Sequence, residues 1–258
     1  MFSSSHHLTF VTLVLTATWL ARTTLAAVNC DTKFGSVDKN ECAQAVSQIV
    51  YEKPGNTLDR VSTAFAKLYG NCTIFVFNPE KAVVTKQQIE TGFTSIFDQC
   101  KAFTGQVSLS NSSSFIQVSE HRRGYDTGYI EPQTLTCGLN TNAPLTVNKD
   151  CQAAYNSIPV DKQSRLLGDN GQPTTTIFKT FKTCTLQIFT TDESVLIGTK
   201  SEIGSVVSKT IKECKGKSGV IASSKGGAGI NGLTVVKVRS SLKCADRRDP
   251  PGKYQTCE

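Results

Sequence analysis

Histidine, tryptophan and methionine are scarce in this chain of 258 residues, which has three, one and one of them. His6, His7 and Trp19 all fall within the first 26 residues, so His121 is the only imidazole beyond them. General acid–base and nucleophilic hydrolysis usually rely on a group that titrates near neutral pH. His121 lies in the polar run Glu120-His121-Arg122-Arg123, with no serine-elbow motif. No Asp or Glu stands in an apolar setting that would mark the acid of a glycosidase. No Cys-x-x-Cys pair occurs and no histidines cluster, so the ligand spacing of a zinc site is missing. After residue 28 there is no run of about 20 apolar residues, which leaves no membrane-spanning helix to expect there. The chain therefore reads as non-enzymatic, without cofactor or metal, and not as an integral membrane protein.

The residues that are present point to export. Leu8 to Ala21 is an apolar run, and Thr24-Leu25-Ala26 supplies the small residues of a cleavage point. Residues 1–26 are thus expected to be a secretory signal peptide and the mature chain to be extracellular. All ten cysteines lie beyond it, an even number in an oxidising compartment, which implies disulfides.

The cysteines also show that the chain repeats itself. Cys30, Cys42, Cys72 and Cys100 are separated by 11, 29 and 27 residues, and Cys137, Cys151, Cys184 and Cys214 by 13, 32 and 29. Local sequence follows the same register: Glu41-Cys42-Ala43-Gln44-Ala45 faces Asp150-Cys151-Gln152-Ala153-Ala154, and Asn71-Cys72-Thr73-Ile74 faces Thr183-Cys184-Thr185-Leu186. This is a tandem duplication, with one copy over residues 27–136 and a second, carrying a C-terminal tail, over residues 137–258. Cys244 and Cys257 remain as an extra pair for the tail.

Within each copy the apolar period alternates between helix and strand. Cys42, Val46, Ile49 and Val50, like Cys151, Ala154, Tyr155 and Ile158, recur at helical spacing. Residues 62–68 with 73–77, and 175–181 with 185–189, are rich in β-branched and aromatic residues and read as hairpins. Thr85-Lys86-Gln87-Gln88 and Thr199-Lys200-Ser201-Glu202 are capping boxes that open a second helix, and a second hairpin closes each unit. The expected fold class is α+β: two tandem disulfide-stabilised α/β sandwiches, each an αββαββ unit with a four-stranded antiparallel sheet and two helices on one face. That arrangement gathers Cys42, Cys72 and Cys100 at one end. Of the three pairings possible per copy, it favours Cys42–Cys100 with Cys30–Cys72, and Cys151–Cys214 with Cys137–Cys184.

Two glycine strings imitate phosphate sites. Gly227-Ala228-Gly229-Ile230-Asn231-Gly232 matches G-x-G-x-x-G but leads into a strand, so it reads as a flexible hairpin loop. Gly216-Lys217-Ser218 follows a helix and lacks the earlier glycine of a phosphate loop. Charge is more informative. Residues 27–137 hold 10 basic and 11 acidic side chains, whereas residues 138–258 hold 17 and 10. Lys209, Lys212, Lys215, Lys217, Lys225, Lys237, Arg239 and Lys243 form a candidate basic patch for an extracellular protein, a glycan or an anionic membrane surface. No aromatics interleave with them, so nucleic acid is not expected. Asn71 and Asn111 head N-glycosylation sequons; Arg122-Arg123 and Arg247-Arg248 are dibasic pairs that a processing protease could cut, the first reading better as a polar strand end.

An exported chain with Asp/Glu-Cys entering a helix, then Gly70-Asn71-Cys72-Thr73-Ile74-Phe75-Val76, then Thr-x-x-x-Ile entering a helix that ends in Cys, resembles the fungal small secreted proteins of the killer-toxin-like and necrosis-inducing-effector group. The resemblance spans both copies, roughly Cys30 to Cys257, and the duplication departs from the group's single-domain pattern. It implies a cysteine-bridged sandwich without enzyme activity, acting on competing microbes or host tissue. It transfers no functional residue, because the matching positions are cysteines and core. The function expected from the sequence is a secreted fungal effector or toxin-like protein that acts by binding; the alternative is a glycan or cell-wall binding module whose two copies give avidity.

Overall fold

The computed structural model describes residues 27–109, 113–121, 130–138, 143–223, 226–242, 244–245 and 254–255. The leader (1–26), Asn111, Arg122-Arg123, Lys225, Lys243, Arg247-Arg248 and Cys257 lie outside the described residues. The same holds for the side chain of Cys244 and hence for its pairing with Cys257.

The first copy runs β1 (Asn29–Ser36), α1 (Lys39–Ser47), β2 (Ala64–Tyr69), β3 (Cys72–Phe77), α2 (Lys86–Cys100), β4 (Phe103–Ser108) and β5 (Phe115–Glu120). The second repeats it as β6 (Thr136–Cys137), α3 (Asn148–Asn156), β7 (Thr176–Phe181), β8 (Cys184–Thr190), α4 (Lys200–Cys214), β9 (Gly219–Ser223) and β10 (Thr234–Ser240). A short pair, β11 (Cys244–Ala245) with β12 (Tyr254–Gln255), follows. The strand orders match position for position: β1-β4-β5-β3-β2 and β6-β9-β10-β8-β7, with antiparallel neighbours throughout. The protein is therefore two tandem α/β domains of one design.

The helices begin where their sequences can satisfy first-turn amides. Thr85 and Thr199 each accept from the amide three residues on, and Gln88 and Glu202 answer by accepting from the Thr85 and Thr199 amides. One apolar stripe per helix then faces the sheet. Ile89, Phe93, Ile96 and Phe97 pack with Ile74, Val76, Ile116 and Val118 in the first copy. In the second, Ile203, Val207 and Ile211 pack with Leu186, Ile188, Val236 and Val238. The opposite face of the second sheet is closed by Ile130 over Phe189, Val220, Ala222 and Val235. The same face of the first sheet carries the stacked rings of Phe75, Phe77 and Phe115.

Each sheet has a fifth strand in addition to the four read from the sequence, and this strand changes the disulfides. β1 adds beside β4, with Cys30 opposite Gly105, and β6 adds beside β9, with Cys137 opposite Gly219. These edge strands carry Cys30 and Cys137 to the ends of α2 and α4. The bonds are Cys30–Cys100, Cys42–Cys72, Cys137–Cys214 and Cys151–Cys184, so the expected Cys42–Cys100 and Cys30–Cys72, with their second-copy equivalents, are corrected. Glycine is required beneath the two edge bridges. A Cβ on Gly105 would stand 2.7 Å from Cys100 Sγ, and one on Gly219 would stand 2.5 Å from Cys214 Sγ.

Candidate functional site

The acid that precedes the first helical cysteine of each copy has a structural use. Glu41 accepts from the amide of Asn71 (2.8 Å), and Asp150 accepts from the amide (3.3 Å) and hydroxyl (2.7 Å) of Thr183. Each carboxylate thus ties the helix to the hairpin turn one residue before the cysteine it is bonded to, so the Asp/Glu-Cys motif is a clasp. Hydrogen bonding from the Thr183 hydroxyl holds Asp150 below the usual carboxylate range, against the opposing effect of burial; the Thr183 amide and the charges of Lys182 and Lys149 add to the lowering. A depressed native pKa stabilises the fold above the unfolded value of about 3.9 and loses that contribution as pH falls through the native value. Thr183→Val should therefore narrow the difference in urea midpoint between about pH 7 and pH 2.5 relative to the parent. An unchanged difference would remove the clasp from the acid response.

Asn71 of the sequon is exposed, but its side-chain amide donates to the carbonyl of Ser36 (3.3 Å) and lies 3.5 Å from Glu120 Oε1. His121 lies with Nε2 3.6 Å from Glu131 Oε1 and is almost buried. No group of three or more His, Cys, Asp or Glu among the described residues is placed to hold a metal ion. No helix among them is long and apolar enough to cross a membrane.

The basic residues divide into two sets. Lys209 and Lys212 lie on the exposed face of α4, Lys215 forms its left-handed C-cap, and Lys217 follows in the next turn; all four are exposed. Lys237 and Arg239 are on β10, and strand alternation sets them opposite to Val236 and Val238, which pack beneath α4. Lys237 Nζ lies 5.2 Å from the ring centre of Phe189 on the face away from the helices. One linear cluster is therefore two surfaces on opposite sides of a sheet. On α4 the other exposed side chains are Ser201, Glu202, Ser205, Ser208 and Glu213, and no large apolar residue is among them. Counting from the two capping boxes, the first-copy counterparts of Lys209 and Lys212 are Ser95 and Asp98, and Asp98 pairs with Lys39 at 3.1 Å.

The glycine string proves to be part of a contact between the copies rather than a free hairpin. Asn231, 1% exposed, bonds both backbone groups of Val50: Val50 N–H donates to Oδ1 (2.9 Å) and Nδ2 donates to Val50 O (2.8 Å). Asp192 has no solvent exposure and accepts from the hydroxyls of Ser62 of the first copy and Ser194 of its own, each at 2.7 Å. Lys67 donates to the carbonyl of Asn231 at 3.0 Å. Burial lowers the Lys67 pKa, while the charge of Asp192 works to raise it. Gly229 and Gly232 supply the room. A Cβ on Gly229 would lie 1.9 Å from Asp192 Oδ2, and one on Gly232 would lie 2.1 Å from Asp192 Cγ. The spacing of these glycines serves close approach to a buried carboxylate. Nothing in the local sequence names Ser62 or Val50 as partners, because they lie 130 and 181 residues away from the groups they bond.

No family model matches the chain, and no curated protein sequence matches it. Among solved structures, the tandem DUF26 ectodomain of the Arabidopsis thaliana cysteine-rich receptor-like protein PDLP5 is similar at 8% identity, covering 84% of this chain and all of that one with a TM-score of 0.28. The corresponding ectodomain of PDLP8 gives 10% identity, 85% of this chain, all of that one and a TM-score of 0.26. Neither likeness bears on function.

Proposed function

We propose that this is a secreted, non-catalytic binding protein whose second copy attaches to an extracellular glycan bearing acidic groups. The observation that carries the reading is the exposed row Lys209, Lys212, Lys215 and Lys217, set among serines and Glu213 and without an ion pair among the described residues. A competing account is that lysines near a helix C-terminus serve the helix dipole, at about 0.3–1 kcal/mol each. The first copy argues against dipole compensation as the whole reason, since its equivalent helix manages with Ser95 and Asp98. A membrane surface fits less well, because an interfacial helix needs apolar side chains to insert and the exposed face of α4 has none. The proposed arrangement assigns the first copy, residues 27–136, to support and the second, residues 137–258, to contact.

Substituting Lys209, Lys212 and Lys217 with serine should weaken binding to an acidic polysaccharide such as polygalacturonate by about tenfold at low salt, roughly 1.4 kcal/mol. The parent and the variant should converge near 1 M salt, where the screening length is about 3 Å. The positions are exposed, so the loss of stability should be limited to dipole and helix-propensity effects of about 1–2 kcal/mol and leave the fold intact. Equal retention of parent and variant, with no salt effect, would defeat the proposal. A second reading, a toxin-like effector acting on competitor or host cells, rests on the killer-toxin-like sequence pattern. It is favoured if growth inhibition survives the triple substitution and persists on cells stripped of their walls.

A further inference from the structure

The second copy contains a cavity lined by residues that differ from their first-copy counterparts. It measures about 240 Å³ and lies between α4 and the β9–β10 hairpin, floored by Ile203, Val206 and Val236. At roughly 30 Å³ per water this is room for about eight waters, the size of one hexose ring. One wall is a backbone pinch, where the amides of Ile197 and Gly198 both donate to the carbonyl of Gly226. Gly226 has φ +108°, which a side chain would not tolerate, and a Cβ on Gly198 would lie 3.1 Å from Gly226 Cα.

Register between the copies shows how the space arose. Pairing β4 with β5 and β9 with β10 aligns Leu109 with Ser223 and Ile116 with Val236. In the first copy Leu109 and Ile116 are buried and converge over Gly92, whose added Cβ would meet Ile116 Cδ1 at 2.5 Å and Leu109 Cδ2 at 3.3 Å. Their counterparts Ser223 and Val236 are smaller, whereas Val206, which stands where the first copy has Gly92, is larger; the cavity lies among these three. Polar groups diverge at the same place. Buried Ser114 donates to Asn78 Oδ1 at 2.7 Å. Its counterpart Thr234 is 1% exposed and lines the cavity, and its hydroxyl has no hydrogen-bond partner among the described residues. The residue in place of Asn78 is Thr190, whose own hydroxyl donates to the carbonyl of Ser194 instead.

A buried hydroxyl without a protein partner favours an occupant that brings a hydroxyl or amide to it. A wholly apolar occupant would leave Thr234 unmet. An anionic one would face Glu202, whose carboxylate at the rim already accepts from the Thr199 amide and hydroxyl. The geometry points to a site for one neutral, hydroxyl-bearing sugar ring, its apolar face on Val206 and Val236 and one polar group on Thr234. This site is separate from the lysine row and does not depend on it.

The test is amide chemical-shift titration of the ¹⁵N-labelled full chain with glucose and N-acetylglucosamine. Shifts confined to Gly198, Gly226 and Thr234 that saturate with a Kd near roughly 10 mM are expected. Thr234→Val, which keeps the volume, should weaken that response at least tenfold. Ser223→Leu with Val236→Ile, which adds side-chain volume to the lining, should abolish it. The pocket variants should keep polygalacturonate binding, and the triple lysine variant should keep the sugar shifts, so the two sites fail independently. No saturating shifts with either sugar, an equal response to cyclohexanol, or a Thr234→Val protein that binds like the parent would each overturn the assignment. Should the double variant not fold, the Thr234→Val comparison decides.

Discussion

Asp192→Ala is expected to cost about 3 kcal/mol and to split a single unfolding transition into two. The carboxylate is fully buried and accepts from Ser62 of one copy and from the hydroxyl and amide of Ser194 of the other; removing it leaves both Ser194 groups unmet at about 1–3 kcal/mol each, while Ser62 turns to Asp59 Oδ2 at 3.1 Å and no longer bonds across the copies. Gly232→Val should act alike by a different route, since its first side-chain atom would overlap the carboxylate that the loop closes on. Both changes lie outside the two cores, so each copy should keep its own fold and lose mainly its hold on the other. Calorimetry reads this directly. Two resolved endotherms, with hydrogen exchange rising first around Val50 and Asn231, are expected; one unchanged transition would mean that the contact between the copies contributes little.

The second large effect comes from the bridges. Cys137→Ala with Cys214→Ala opens a link spanning 77 residues, worth about 4.5 kcal/mol of unfolded-chain entropy. Cys42→Ala with Cys72→Ala opens one spanning 30 residues, worth about 3.6 kcal/mol, and also leaves two fully buried positions underfilled. Domains are commonly stable by about 5–15 kcal/mol, so either loss should shift the urea midpoint by a large fraction of its value. Non-reducing peptide mapping of the parent should recover Cys30 with Cys100 and Cys42 with Cys72. Recovery of Cys42 with Cys100 would restore the pairing expected from spacing alone and remove β1 from the sheet edge.

What could be read from the sequence was what local chemistry decides. The capping boxes at Thr85 and Thr199 are three-residue signals, and both helices start there. The hairpin strands are dense in β-branched and aromatic residues and lie within about two residues of their expected bounds. β1 escaped notice because Asn-Cys-Asp-Thr-Lys-Phe-Gly-Ser has no apolar alternation, and an edge strand needs none if one side is solvated. β6 is only two residues long. Missing those edges misplaced Cys30 and Cys137, and the pairing error followed from that. The basic patch erred for a related reason: grouping lysines by sequence ignores that β10 turns Lys237 and Arg239 away from α4. The cavity leaves no motif at all, since it arises where Ser223, Val236 and Val206 differ in size from residues over one hundred positions earlier.

All four described bridges close within a single copy. A nick anywhere between Glu120 and Ile130 would therefore sever the chain while leaving each half internally stapled. The severed halves would stay together only through non-covalent contacts such as Asn231 on Val50 and Asp192 on Ser62, and they would part by dilution or denaturant rather than by reductant. A two-chain form of this protein would thus run as separate bands on a non-reducing denaturing gel while eluting as one species in native buffer.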